Sequence, residues 1–210
     1  MITTELKKLD DILIDGISDG TITDIFGFRG TGKTQMALQI SLNLLKDEKT
    51  VLFVDTTGEF RPERLLEILK NRNLYNSLLN RLKIARVTNT QEQIDLIQKI
   101  KNTNDVAMLI IDNVADLFSF EYSKKEQFNL QYQKFMNYMH DLAQLAINKK
   151  IPIVITNQLM NANDTEYEKM NYSISNYTHQ KIKLEKQRDH YQATILSPFC
   201  LLYTSPSPRD

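Results

Sequence analysis

The sequence has little cysteine, no excess of either charge and no long apolar run. It contains 210 residues and a single cysteine, Cys200, which excludes a fold held by intramolecular disulfide bonds. Lysine plus arginine and aspartate plus glutamate each number 26, so the formal net charge at pH 7 is zero. A neutral chain has no overall attraction to nucleic acid or to anionic membrane, and any basic surface must therefore be local.

Signals for membrane insertion and export are also missing. No apolar run approaches the length of a membrane span. Residues 1–5 lack the basic and then apolar layout of a signal peptide. These absences predict a cytoplasmic protein, or a nuclear one in a eukaryote, with no membrane partner. The length suits one α/β domain with a substantial core and is too short for two ordinary domains.

The end of the chain differs in character from the rest. Residues 200–210 resemble the translation of a sequencing-library adapter, and a genuine Pro/Ser-rich tail is the alternative. We expect residues 200–210 to be a non-native tail and residues 1–199 to form one C-terminally incomplete domain. On that interpretation the native part contains no cysteine.

The strongest motif is GFRGTGKT at residues 27–34, which fits G-x-x-x-x-G-K-[ST], the phosphate-binding P-loop. β-Branched and aromatic residues at 21–26 predict a strand before it, and the apolar spacing of residues 35–45 predicts a helix after it. In this context glycines let backbone N–H groups surround a phosphate, and the helix N-terminus adds a favourable dipole. Lys33 would reach the β- and γ-phosphates, and the Thr34 hydroxyl would hold Mg²⁺. A glycine turn without a ligand is the alternative.

Strand and helix patterns alternate along the chain. Continuous apolar runs predict buried parallel strands at residues 51–54, 106–111 and 151–156, with a shorter strand at 84–87. Apolar spacing predicts a short helix or turn at residues 5–19, before the first strand, and helices at residues 61–69, 75–82, 91–101 and 128–148. This alternation predicts an α/β fold with a doubly wound, mainly parallel sheet, in which ligands bind at the carboxyl ends of the strands.

Three further local predictions complete the outline. Thr90 is expected to cap the helix that follows it. Residues 159–177 are polar and lack a clear period, which predicts a mobile loop. Residues 180–186 and 190–196 alternate in polarity, which predicts a C-terminal antiparallel hairpin on the sheet.

The apolar strand at residues 106–111 closes in Asp112. A carboxylate in this place is typical of a Walker B strand, where it acts through water on Mg²⁺. A strand that ends in aspartate by chance is the alternative.

Taken together, these motifs resemble the RecA/RadA recombinase family, and the resemblance covers nearly all of residues 1–199. The stretches that carry it are GxxGTGKTQ at 27–35, FRPERL at 60–65, FxxEY at 118–122, MHDL at 139–142 and ITNQ at 155–158. The resemblance implies a RecA-like P-loop NTPase core with ATP and Mg²⁺ as cofactors.

The resemblance also implies roles for individual residues. Lys33, Asp112 and Gln158 would serve catalysis, with Gln158 sensing the γ-phosphate, and Thr34 with Asp112 would hold Mg²⁺ through water. Arg64 would pack against adenine, for which a planar guanidinium is suited. The full set of nucleotide-binding residues is Gly27, Phe28, Arg29, Gly30, Thr31, Gly32, Lys33, Thr34, Gln35 and Arg64. A surface arginine and a polar strand-end residue are the alternatives for Arg64 and Gln158.

The sequence departs from the family pattern at the residue that activates water. The family has Asp-Thr-Glu-Gly, and this chain has Thr57 in the place of the glutamate. A hydroxyl cannot accept a proton from water as a carboxylate does, and such assistance is typically worth about 10²–10⁴-fold. Glu59 lies two residues on and is a candidate substitute; a solvated turn residue is the alternative.

Other departures concern DNA contact and the chain ends. Lys124 and Lys125 keep positive charge in the first DNA loop and are candidate phosphate contacts, although a solvated charge run is the alternative. The second loop contains the acidic residues Asp164, Glu166 and Glu168, which would repel a phosphate backbone. We also expect neither the family's N-terminal helix-hairpin-helix domain nor its last strands in this chain.

These features resemble the archaeal RadB group of RadA paralogues. They predict an ATP-binding accessory protein of DNA repair and homologous recombination with weak DNA-dependent ATPase activity. Its partners would be single-stranded or branched DNA, a RadA-type recombinase and possible further copies of itself in a homo-oligomer. An active strand-exchange recombinase and an ATP-gated module that regulates a partner recombinase are the alternatives.

Overall fold

The computed structural model describes residues 1–4, 7–13, 16–122, 126, 128–162, 165–187 and 191–197. It confirms the predicted fold class, because helices flank a mainly parallel sheet that ends in an antiparallel hairpin. The strands are β1 (Ile22–Gly27), β2 (Val51–Asp55), β3 (Leu82–Arg86), β4 (Met108–Asp112), β5 (Ile153–Ala162), β6 (Thr165–Glu168), β7 (Gln180–Lys186) and β8 (Tyr191–Ser197). In this described part of the chain, no helix is long and apolar enough to cross a membrane.

The helices pack on both faces of the sheet. They are α1 (Lys7–Ile12), α2 (Lys33–Lys46), α3 (Pro62–Asn71), α4 (Thr90–Lys101), α5 (Asp116–Glu121), α6 (Phe128–Lys149) and α7 (Asn171–Ser175), with a 3₁₀ helix at Asn76–Arg81. One apolar core lies beneath α1, α2 and α3, and a second lies beneath α4, α5 and α6. Strands β1, β2 and β4 are buried along their whole length, as expected for strands covered on both faces.

The strand order is β3-β2-β4-β5-β1-β7-β8, and β6 pairs with β5 outside this row. Strands β4 and β5 lie between β1 and β2, although β1 and β2 are consecutive in the chain. The pairs among β1 to β5, and the pair β1–β7, are parallel. The carboxyl ends of β1, β2, β4 and β5 therefore meet at one edge of the sheet, where a doubly wound fold places its ligands.

The prediction of a mobile loop at residues 159–177 is wrong. Strand β5 continues to Ala162 and pairs antiparallel with β6, with Leu159 opposite Glu168. Helix α7 follows. The segment lacks apolar periodicity because polar contacts order it: Asn157 Nδ2 donates to Glu168 Oε1 at 2.8 Å, and Lys181 Nζ donates to Glu168 Oε2 at 2.6 Å.

The predicted cap of helix α4 is also wrong by one residue. Asn89 is the N-cap, and its side chain accepts a hydrogen bond from the Glu92 backbone N–H at 2.9 Å. Thr90 is instead the first helical residue. Its hydroxyl donates to Glu121 at 2.5 Å, because the end of α5 lies directly above the start of α4. Asparagine and threonine are both good caps, so the sequence alone did not separate them.

Candidate functional site

A cavity of about 940 Å³ lies at the edge where the carboxyl ends of the parallel strands meet. Its floor is the loop between β1 and α2. The turn after β2, the segment after β4 and the end of β5 form one side, and the β7–β8 hairpin forms another. The residues that line it include Arg29, Gly30, Thr31, Gly32, Lys33, Thr34, Gln35, Thr57, Glu59, Arg64, Asp112, Asn113, Asp116, Gln158, Leu184 and Tyr191.

The β1–α2 loop needs glycine at positions 27 and 32 for different local reasons. Gly32 caps helix α2 with φ 90° and ψ 16°, a left-handed conformation that glycine adopts without steric cost. A Cβ atom on Gly32 would have no neighbour within 4 Å, so the space above the loop is open. A Cβ atom on Gly27 would lie 2.3 Å from the carbonyl oxygen of Leu184, because β1 and β7 pair closely there. The loop is thus a cradle of backbone with room above it.

Lys33 lies across this loop. Its ammonium group donates to the backbone carbonyls of Gly27 at 3.0 Å and Phe28 at 2.9 Å. Neither Gly27 nor Phe28 is among the residues that line the cavity. Burial lowers the pKa of Lys33, and the carboxylates of Asp112, Asp116 and Glu59 partly offset this effect. The carboxylates keep a cation at the point where an anionic ligand would meet the loop.

Two hydroxyl groups hold the Asp112 carboxylate at the end of β4. Thr34 Oγ1 donates to Asp112 Oδ2 at 2.6 Å, and Thr156 Oγ1 donates to Asp112 Oδ1. Burial raises the pKa of Asp112, while the two hydroxyls and Lys33 act in the opposite direction. The Thr34 hydroxyl and the Asp112 carboxylate therefore form a set of oxygen donors beside a lysine, which is the ligand chemistry that Mg²⁺ prefers.

The turn after β2 is organised by Asp55. Its carboxylate accepts the backbone N–H groups of Thr57 at 3.0 Å, Gly58 at 2.8 Å and Phe60 at 3.4 Å. Arg86, opposite Asp55 on β3, lies 3.2 Å from the same carboxylate. Gly58 has φ 75°, a left-handed conformation that glycine adopts without steric cost, which explains the glycine. Asp55 and Arg86 thus fix the direction in which this turn faces the cavity.

Glu59 lies at the mouth of the cavity and pairs with Arg29. The Arg29 Nη2 to Glu59 Oε1 distance is 2.5 Å, and both side chains are largely exposed, at 80% and 60%. The Glu59 carboxylate pairs with a solvated guanidinium, and it also acts on the pKa of Lys33 together with Asp112 and Asp116. Whether Glu59 stands in for the family's glutamate stays a prediction, and its exposed pairing with Arg29 leads us to expect that it does not.

Replacing Glu59 with glutamine is expected to change any ATP turnover by less than about threefold, since removal of a working general base costs about 10²-fold or more. The measurement is steady-state phosphate release at saturating ATP. Arg29→Gln is the matched control, because it breaks the same ion pair without removing the carboxylate. A 100-fold loss in Glu59→Gln alone would instead identify Glu59 as the base.

The structure places the remaining predicted residues as follows. Arg64 on α3 and Gln158 on β5 both line the cavity, from different sides. Gln158 lies opposite Gly27 in the β1–β5 register, so it stands beside the start of the glycine loop. The candidate DNA contacts Lys124 and Lys125 lie outside the described residues, as does the tail at 200–210.

Sequence reasoning missed several residues of the site. Thr156 holds Asp112 from the neighbouring strand, and Asp116 lines the cavity four residues beyond Asp112. Both lie at or just past the end of a predicted strand, which is a signal that could have singled them out. Tyr191 and Gln192 on the hairpin had no such signal, because the hairpin reaches the cavity only through its pairing with β7.

This arrangement of strand, glycine loop, helix and acid-terminated strand defines a P-loop NTPase with a RecA-like core. Comparison with known families gives the particular one. The Rad51 family model matches residues 1–176. The chain belongs to the Rad51 family of RecA/RadA recombinases.

Two curated relatives are archaeal. The chain is 30% identical over 188 residues to the DNA repair and recombination protein RadA of Metallosphaera sedula, covering 84% of this chain and 58% of that protein. It is 33% identical over 177 residues to the protein of the same name from Aeropyrum pernix, covering 79% and 55%. The chain thus spans a little over half the length of these relatives.

Proposed function

We propose that the protein binds ATP and Mg²⁺ in this cavity and acts in DNA repair and homologous recombination as a RadA paralogue with weak ATPase activity. Residues 1–199 would form its RecA-like ATPase core. The observation that carries the proposal is the joint position of Lys33, Thr34 and Asp112 at an open glycine cradle. Binding of ATP would change the conformation of the protein, and hydrolysis of ATP would be slow.

The residues present fit the nucleotide and its metal. The open space above Gly32 and the N-terminus of α2 suit a phosphate group. Thr34 and Asp112 would hold Mg²⁺, which supplies charge neutralisation at the phosphates. Arg64, which also lines the cavity, offers a planar cation for the base.

Weak turnover follows from the turn at Asp55. Thr57 Oγ1 donates to Asp55 Oδ1 at 3.1 Å and accepts the Glu59 backbone N–H at 3.2 Å. The hydroxyl is thus engaged in the turn, and it has no basicity to orient and deprotonate water. This supports an ATP-responsive accessory protein, similar to the RadB group, over an efficient motor.

Two other functions share the same site. A strand-exchange recombinase would form filaments on single-stranded DNA, which electron microscopy of the complete gene product tests. An ATP-gated module that regulates a partner recombinase is favoured by the zero net charge and by Glu166 and Glu168 in the segment after Gln158. Strong, salt-sensitive DNA binding by the isolated protein would contradict that module, since phosphate contacts carry the salt dependence.

Lys33→Ala is expected to weaken ATP binding by about tenfold to 100-fold, because a hydrogen bond to a charged group contributes about 1.5–3 kcal/mol. Titration with a fluorescent ATP analogue measures the affinity with and without Mg²⁺. Lys49→Ala, just beyond the other end of α2, is the control and should bind as the wild type does. Equal affinities in wild type and Lys33→Ala, or rapid DNA-stimulated hydrolysis by the wild type, would overturn the proposal.

A further inference from the structure

An ion pair joins the cavity to the segment that follows Gln158. Lys169 Nζ lies 2.9 Å from Asp116 Oδ1, and the two side chains are 25% and 28% exposed. Asp116 begins helix α5 and lines the cavity. Lys169 follows strand β6. The pair therefore spans the gap between the nucleotide site and the β5–β6 hairpin.

The backbone of Lys169 is also tied to the end of β5. Its N–H donates to the carbonyl of Gln158 at 3.4 Å, and its carbonyl accepts from Asn157 Nδ2 at 2.7 Å. Gln158 itself lines the cavity. A change at the Lys169 side chain would thus be felt both by the cavity wall and by the hairpin and helix α7, which carry the exposed Tyr167 and Tyr172.

The charges at this end of the cavity favour a ligand-dependent rearrangement. Asp116 stands close enough to Lys33 to act on its pKa, and Lys33 is the residue that would meet the β- and γ-phosphates. An additional anion beside Lys33 has the same sign as Asp116 and the opposite sign to Lys169. It therefore repels the Asp116 carboxylate and attracts the Lys169 ammonium group, and this competition with the ion pair is stronger where water is partly excluded.

We propose that the Asp116–Lys169 ion pair makes the site discriminate nucleoside triphosphates from diphosphates and links that difference to the β5–β6 hairpin. The inference rests on the nucleotide binding proposed above. With a triphosphate bound, Lys169 turns from Asp116 towards the terminal phosphate, and the hairpin loses one of its ties to α5. With a diphosphate bound, the ion pair remains.

The expected changes in affinity have the size that is usual for coupling between two sites. Lys169→Met removes the attraction to the terminal phosphate and should lower the preference for ATP over ADP by about fivefold or more. Asp116→Asn removes the repulsion and should raise that preference by a similar factor. Lys169→Arg keeps the charge and should behave as the wild type does.

The test is competition binding of ATP and ADP to the full chain, combined with hydrogen exchange of residues 165–175. Exchange in this segment should increase with ATP in the wild type. In Lys169→Met and Asp116→Asn it should already be high without nucleotide and respond little to ATP. Lys183→Met is the matched control, because Lys183 pairs with Glu166 of the same hairpin at 2.9 Å and does not line the cavity.

The outcomes separate the inference from the proposed function. An unchanged ratio of ATP to ADP affinity in both variants, or an ATP response in Lys169→Met equal to that of the wild type, overturns the inference while nucleotide binding stands. A wild type that binds neither nucleotide overturns the proposed function and the inference together. The same shift in Lys183→Met would mean that general hairpin stability, not the ion pair, sets the preference.

Discussion

Replacing Lys181 with methionine is expected to lower the free energy of unfolding by about 3–5 kcal/mol, the usual cost of removing one partner from a buried ion pair. Lys181 on β7 lies 3.0 Å from Asp24 Oδ2 on β1 and 2.6 Å from Glu168 Oε2 on β6. The side chains of Asp24 and Glu168 are 0% and 4% exposed. Without the ammonium group, two carboxylates would share a space that water does not reach.

Lys181 donates hydrogen bonds to several groups besides Asp24. An ammonium group has three N–H donors, and here they go to Glu168, Asn171 Oδ1 at 3.1 Å and Ser175 Oγ at 3.3 Å. Asp24 Oδ2 lies 3.0 Å from the same ammonium group, and Lys181 and Glu168 are the side chains that act on its carboxyl group. Burial, and then the Glu168 carboxylate, raise the pKa of Asp24 well above its ordinary value of 3.8.

The loss of unfolding free energy in Lys181→Met is expected to depend on pH, because the pKa of Asp24 is raised in the folded protein. Because the pKa of Asp24 is higher in the folded than in the unfolded state, the folded protein binds more protons and loses stability as pH rises from 3.8 through the folded pKa. Lys181 lowers the pKa of Asp24, so removal of Lys181 raises this pKa further and extends the pH range over which stability is lost. The loss of stability in Lys181→Met should therefore shrink as pH falls through the folded pKa of Asp24 towards 3.8, the ordinary value.

Chemical denaturation at several pH values measures this effect. Lys183→Met, two residues along the same strand, is the control and should cost less than about 1 kcal/mol, because its partners Glu166 and Glu185 are 46% and 36% exposed. Adding Asp24→Asn to Lys181→Met should restore part of the loss by removing one buried charge. A deficit below about 1 kcal/mol in Lys181→Met would show that the cluster contributes little.

Local patterns predicted most of the sheet because β2 and β4 are apolar runs that close in aspartate and β1 is rich in β-branched and aromatic residues. The strand before the glycine loop, the strand ending in Asp112 and the C-terminal hairpin were all predicted in the correct order. The segment at residues 159–177 was not, because its order depends on pairing with β5 and on the contacts of Glu168 with Lys181 and Asn157. Nothing in the alternating pattern of β7 distinguishes a buried lysine from a solvated one.

The candidate site shows the same contrast between contiguous motifs, which the sequence predicts, and contacts between distant residues, which it does not. Lys33 and Thr34 belong to a contiguous motif, and their spacing alone indicates phosphate binding. Asp116 and Lys169 lie 53 residues apart, and their contact depends on how the β5–β6 hairpin folds back over α5. Arg86 and Asp55 meet only because β3 pairs with β2 in that register. Pairings between strands, not composition, decide which charges become neighbours.

Thr57→Glu is expected to raise the rate of ATP hydrolysis at least tenfold, because a well-placed general base typically contributes about 10²–10⁴-fold. Thr57 lines the cavity on the turn after β2. The backbone N–H groups of this turn bind Asp55 whatever side chain stands at position 57, so the turn should survive the change. A carboxylate there adds the proton acceptor that the hydroxyl cannot supply.

Thr57→Gln separates basicity from shape, because glutamine has the same length and cannot accept a proton from water. Turnover at saturating ATP should rise in the glutamate variant only, with nearly equal ATP affinity in both. Adding Lys33→Ala should abolish the gain at the same ATP concentration. Equal rates in the glutamate and glutamine variants would mean that closure of the site or product release limits turnover, since a base accelerates only the step in which the proton moves.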